Sequence, residues 1–136
     1  MKVFICCSRS FYSKVGAIRK ALEESGHQVT LPNSFDDPGR EDGLKAGNPE
    51  RHAAWKAEML REQERKVRAN DAILVINEAK GDQENYVGGA TFLEMFKAFE
   101  LGKKIFLWND VPDGMLRDEI AGFAPVVIKR DLSLVR

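Results

Sequence analysis

The chain has 136 residues, 43% of them hydrophobic, which suits one domain, residues 1–136, built around a single core. Its 21 Lys and Arg balance 21 Asp and Glu, so it lacks the positive excess that drives unselective binding to nucleic acid or anionic membrane. A small molecule or a protein is the expected partner, with no nucleic acid and no membrane.

The opening MKVFICC has one basic residue and an apolar run too short for a signal peptide. No stretch approaches the roughly 20 apolar residues of a membrane span, and a cytoplasmic location is expected. Lys2 to Cys7 is apolar without alternation, as in a strand buried on both faces. Cys6 and Cys7 then point to opposite faces, which opposes a disulfide between them and suits a reducing compartment. His27 and His52 stand without a CxxC or HxxxH frame, so neither a metal nor another cofactor is expected.

The turn Ser8, Arg9, Ser10 leads into a helix over Phe11 to Ser25, with Val15, Ile18 and Leu22 at helical spacing and Gly26 as its stop. His27 to Leu31 is a short strand. Pro32 to Gly47 is rich in Pro, Gly, Asn and Asp and is expected as a long loop, a functional lid or a disordered segment. Asn48 and Pro49 form an N-cap and first helical position, opening a helix to about Ala69 with Trp55, Met59, Leu60 and Val67 as its apolar stripe.

Asp71 to Asn77 (DAILVIN) is the most strand-like run and is expected at the centre of a parallel sheet. A polar loop over Glu78 to Val87 precedes a helix over Gly88 to Leu101, ended by Gly102. Lys104 to Trp108 is a strand, Asp113 to Phe123 holds a short helix, and Pro125 to Ile128 is the last strand. The alternation of strands and helices, with right-handed crossovers, predicts an α/β fold of the three-layer flavodoxin-like or Rossmann-like kind. The expected sheet is parallel and five-stranded, ordered 2-1-3-4-5.

In such a sheet ligands bind outside the C-terminal strand ends where the order reverses, here between the first and third strands. That selects Cys6 to Tyr12, Asn77 to Thr91, and Trp108 to Asp113. Tyr86, Gly88, Gly89 and Thr91 belong to YVGGAT at a helix entry, where free N–H groups and the helix dipole favour a phosphate or carboxylate. The same glycines also fit an ordinary flexible helix start. Glu94 follows in the next turns and shares its sector of the helix with Ala90, Ala98 and Leu101, while Lys97 and Glu100 lie outside it. Burial would raise its pKa and the helix dipole would lower it, which leaves the net direction open.

The stretch GATFLEMFKAFELGKKIFL, from Gly89 to Leu107, resembles the motif of nucleoside 2-deoxyribosyltransferases and related nucleotide N-glycosidases. Thr91, Glu94, Ala98, Gly102, Lys103 and Ile105 fall in register with it. The resemblance implies cleavage or transfer at an N-glycosidic bond of a nucleoside or nucleotide, with Glu94 as nucleophile at the anomeric carbon. A carboxylate can stabilise or capture an oxocarbenium-like centre. It also implies that the turn bearing Ser8, Arg9 and Ser10 contacts the ligand, with Arg9 able to meet a phosphate bidentately. Ser10 is alternatively a helix N-cap.

The chain departs from that pattern. Phe4 stands where a tyrosine orients the nucleophile, Gln63 where an aspartate is usual, Gly88 for an acidic residue and Phe96 for a glycine. Gln63 can hydrogen-bond a base edge but cannot transfer a proton, and Glu62 and Glu64 are the candidates to replace it. Two other functions compete: a non-catalytic nucleotide-binding module and, with weaker support from the turn after the first strand, a flavin-binding domain. Cys6, Cys7 and Asn77 occupy positions where a response regulator needs acids, which excludes that class. Phe92, Met95, Phe96 and Phe99 make the Gly88 to Leu101 helix apolar over more than half its circumference, and a homodimer or higher homo-oligomer is expected.

Overall fold

A computed structural model describes residues 1–136. The strands are β1 (Lys2–Cys6), β2 (Gln28–Thr30), β3 (Ala72–Val75), β4 (Lys104–Leu107) and β5 (Val126–Val127). The helices are α1 (Tyr12–Glu24), α2 (Arg40–Ala46), α3 (Pro49–Ala69), α4 (Gly89–Glu100) and α5 (Arg117–Gly122). All strand pairs are parallel, in the order β2-β1-β3-β4-β5. This is the expected flavodoxin-like α/β sheet, and the order reverses between β1 and β3.

Successive strand residues point to opposite faces, and each face feeds its own core. Val3, Ile5, Leu74 and Phe106 pack with Val15, Ile18 and Leu22 of α1. Phe4, Cys6, Ile73, Val75 and Leu107 pack with Val67 of α3, Met95 and Ala98 of α4 and Ile120 of α5. Cys6 and Cys7 thus fall in different cores, both buried and both free thiols.

Local signals account for the boundaries. Gly26 and Gly102, at φ of 91° and 68°, take the left-handed conformation that ends α1 and α4. The Asn48 side chain accepts from the N–H groups of Glu50 and Arg51, and Pro49 opens α3. Residues 32–47 are not a continuous loop, because α2 forms within them. It contributes no buried side chain, which is why no apolar periodicity announces it. No helix is long and apolar enough to cross a membrane.

Candidate functional site

A cavity of about 530 Å³ opens beyond the C-terminal ends of β1 and β3, within the size range of small-molecule sites. The turn after β1, the first turns of α4, one face of α3 and part of α2 enclose it. Nine of the ten residues singled out in the sequence line it: Ser8, Arg9, Ser10, Gln63, Tyr86, Gly88, Gly89, Thr91 and Glu94.

Asn77 is the exception. Its fully buried side chain turns toward the loop after β4, where Nδ2 donates to the Asp110 carbonyl at 2.9 Å and Oδ1 accepts from the Asn109 N–H at 2.8 Å. It therefore ties two strand ends together and does not line the cavity. Beside it Glu78 accepts from Trp108 Nε1 at 2.7 Å and from Arg130 at 2.8 Å, which fixes the start of the loop that carries Tyr86.

Glu94 is 7% exposed, on the face of α4 that packs toward the sheet with Thr91, Met95 and Ala98. Burial pushes its pKa from 4.5 up to about 8, against the opposing pull of the Cys6 thiol hydrogen bond and the Lys66 and Lys56 charges. Desolvation therefore outweighs every stabilising neighbour. Cys6 is itself pushed well up, by burial first and by Glu94 next, so it remains a protonated donor. Its sulfur lies 3.8 Å from the Phe4 carbonyl. Lys66 projects from α3, donating to the Leu31 carbonyl at 3.0 Å, 5.7 Å from the Phe4 ring centroid.

Phe4 is completely buried in the core beneath α3 and α4 and offers Glu94 no hydroxyl. Cys6, two residues on along the same face of β1, brings a thiol beside Glu94. Gln63 is also buried, and its Nε2 donates to the Ala90 carbonyl at 3.2 Å. This bond joins α3 to the first turn of α4. Glu62 and Glu64 do not replace the missing acid: each pairs with an arginine of its own helix, Arg65 at 2.6 Å and Arg68 at 2.8 Å, and neither lines the cavity.

The first turn of α4 has no side-chain cap, and Gly88, Gly89, Ala90 and Thr91 line the cavity there. Its N–H groups are thus free to meet an anionic or carbonyl oxygen. Gly88 permits a close approach by Tyr86, since a Cβ at that position would lie 3.2 Å from the tyrosine hydroxyl. Across the cavity the Ser8 hydroxyl accepts from the Ser10 N–H at 3.4 Å. Ser8, not Ser10, therefore caps the short 3-10 turn Arg9–Phe11 that precedes α1.

The stripe of Trp55, Met59 and Leu60 on α3 faces the cavity and contributes nothing to the buried core, where α3 supplies only Gln63 and Val67. The outer wall holds residues that the sequence pattern did not single out for the site. Glu41 of α2 accepts from His52 Nε2 at 3.0 Å and Lys56 Nζ at 3.3 Å. Burial raises its pKa, but these two partners outweigh burial and hold it below the ordinary value. Asp42 pairs with Arg9 at 2.7 Å. No three His, Cys, Asp or Glu side chains cluster as ligands for a metal ion. Neither a protein-family model nor a curated protein sequence matches the chain.

Proposed function

We propose that this protein cleaves or transfers the N-glycosidic bond of a nucleoside or nucleotide, with Glu94 as the nucleophile. The observation that carries the proposal is a buried, cavity-lining carboxylate one turn beyond an uncapped helix start. The motif from Gly89 to Leu107 supports the same chemistry. Glu94 attacks the anomeric carbon as the bond to the base breaks, and the base leaves with the bonding electrons and takes a proton from water. Water, or a second base, then attacks the glycosyl ester and releases Glu94.

The raised pKa of Glu94 fits that role. Burial alone opposes ionisation by desolvation, whereas positive charge developing on the sugar in the transition state offsets it. The carboxylate is then stabilised more in the transition state than in the ground state, which is the condition for catalysis. Ser8, Ser10, Gln63, Tyr86 and the α4 N–H groups supply hydrogen bonds to sugar and base.

A second reading, a nucleotide-binding module without catalysis, draws on Phe4 and on the commitment of Gln63 to the Ala90 carbonyl. Incubation with deoxynucleosides, ribonucleosides and their monophosphates, followed by chromatography of free base, separates the two. Base release that disappears in Glu94→Ala supports the enzyme, and tight binding without release supports the module. We also propose self-association through α4, where Phe96 and Phe99 are 45% and 52% exposed and lie tilted against Phe123 with ring centroids 6.4 and 5.4 Å away.

A further inference from the structure

The chain is neutral overall, yet its cavity is not. Arg9, Lys45, Lys56 and Lys80 line it against only two carboxylates, Glu41 and Glu94, and Glu94 is held largely protonated at neutral pH by burial. Most of the positive charge also lies toward one end, apart from Lys80, which sits 4.8 Å from the Tyr86 ring. His52, Lys56 and Gln63 share one face of α3, and a rise of about 1.5 Å per residue sets His52 roughly 16 Å from Gln63 along the axis. Gln63, bonded to the first turn of α4, marks the Glu94 end, so His52 and Lys56 mark the other.

At that outer end Glu41 meets two of the cationic side chains directly, and Asp42 meets a third, Arg9. Glu41 accepts from both His52 and Lys56, and Lys45 and Arg9 lie within its electrostatic reach. It arrives on α2, which has no buried side chain. The other anchors of this segment are the Arg9 bonds to Asp42 at 2.7 Å and to the Pro38 carbonyl at 3.3 Å, with Arg9 and Asp42 44% and 64% exposed. Solvent screens such exposed pairs, so they hold the segment only weakly. An imidazole and an ammonium group on one carboxylate, with the Lys45 ammonium and the Arg9 guanidinium lining the same cavity, form a donor set suited to phosphoryl oxygens.

We infer that Arg9, Lys45, His52 and Lys56 form an anion subsite for a phosphoryl group, and that Glu41 occupies it until a phosphoryl group displaces it. Displacement releases the contact between α2 and α3 and opens the cavity mouth. Only the identity of the ligand rests on the glycosidic reading. The subsite itself is testable with inorganic phosphate.

The full chain, Glu41→Gln and Lys56→Met are titrated with inorganic phosphate at low ionic strength. Trp55 is the reporter, since its ring stacks 6.2 Å from His52 and lies 5.9 Å from the Lys56 ammonium. Glu41→Gln should bind phosphate about tenfold tighter than the unmodified chain and Lys56→Met about tenfold weaker, as expected for one charged partner gained or lost. Trypsin should also cut faster at Arg40 and Lys45 in Glu41→Gln and in the phosphate-bound parent. Calorimetry with a deoxynucleoside and its monophosphate identifies the source. Tighter monophosphate binding assigns the subsite to the nucleotide, and equal binding beside tight inorganic phosphate assigns it to the free ion. Phosphate affinity that is unchanged or reduced in Glu41→Gln overturns the inference. Failure of base release with the phosphate results intact would overturn only the glycosidic reading.

Discussion

Replacing Glu94 with glutamine isolates the energetic consequence of burying an ionisable group. The folded protein holds the Glu94 proton up to about pH 8, whereas the unfolded chain releases it near 4.5. Stability from the tighter folded-state proton is fully present below pH 4.5 and is lost as pH rises toward 8, because the unfolded state gains by ionising first. At about 1.4 kcal/mol per pH unit, this amounts to about 3 kcal/mol at pH 7 and 4–5 kcal/mol above pH 8. Glutamine does not titrate, so Glu94→Gln should unfold at nearly the parental temperature at pH 5, apart from a constant amide offset. It should then gain progressively, by about 10 °C at pH 7 for a chain of this length. Thermal and urea unfolding of both proteins by circular dichroism at pH 5, 7 and 9 measures the difference. A gap that stays constant from pH 5 to 9 would refute the reasoning, since Glu94 would then titrate alike folded and unfolded.

The same ionisation should govern catalysis: kcat/KM for base release should rise about tenfold per pH unit below pH 8 and level off above it, and a flat profile from pH 6 contradicts this. Lys66→Met removes a charge that favours ionised Glu94, so that limb should move up by about half a unit to one unit; downward movement contradicts the assignment. Asn77→Ala should lower stability by about 2–3 kcal/mol in urea unfolding, because it strips partners from the buried loop groups it satisfies, while KM stays unchanged. The double substitution Phe96→Asp with Phe99→Asp should yield monomers in sedimentation velocity, and a parent chain already monomeric at the same concentration would remove the basis for an α4 interface.

The layout of the sheet was legible because its signals are local. The apolar run of β3, the Asn48–Pro49 cap and the glycine stops each depend on neighbouring residues, and alternation then leaves one simple parallel order. Glu94 stood out for the same reason, as a charge in an apolar sector of one helix. Long-range juxtapositions were harder to read. Asn77 occupies the expected strand end, but its amide is consumed by Asn109 and Asp110, more than thirty positions away. The apolar spacing of Trp55, Met59 and Leu60 looks the same whether it faces a core or a cavity. Helix α2 buries no side chain fully and is tied by charge at Glu41 and Asp42, so hydrophobic periodicity does not register it, and its pairing with His52 and Lys56 exists only once the chain is folded. Cys6 reads as an ordinary strand residue until α4 brings Glu94 beside it.

The most direct test of the central claim is to catch the glycosyl enzyme. The protein is mixed with whichever nucleoside or monophosphate releases base, quenched in acid within a turnover, digested, and the peptide carrying Glu94 is weighed by mass spectrometry. The account predicts a mass increase equal to the glycosyl or phosphoglycosyl group on that peptide, and neither adduct nor base release in Glu94→Gln. Base release that persists in Glu94→Gln, with no adduct on the parental peptide, would contradict it.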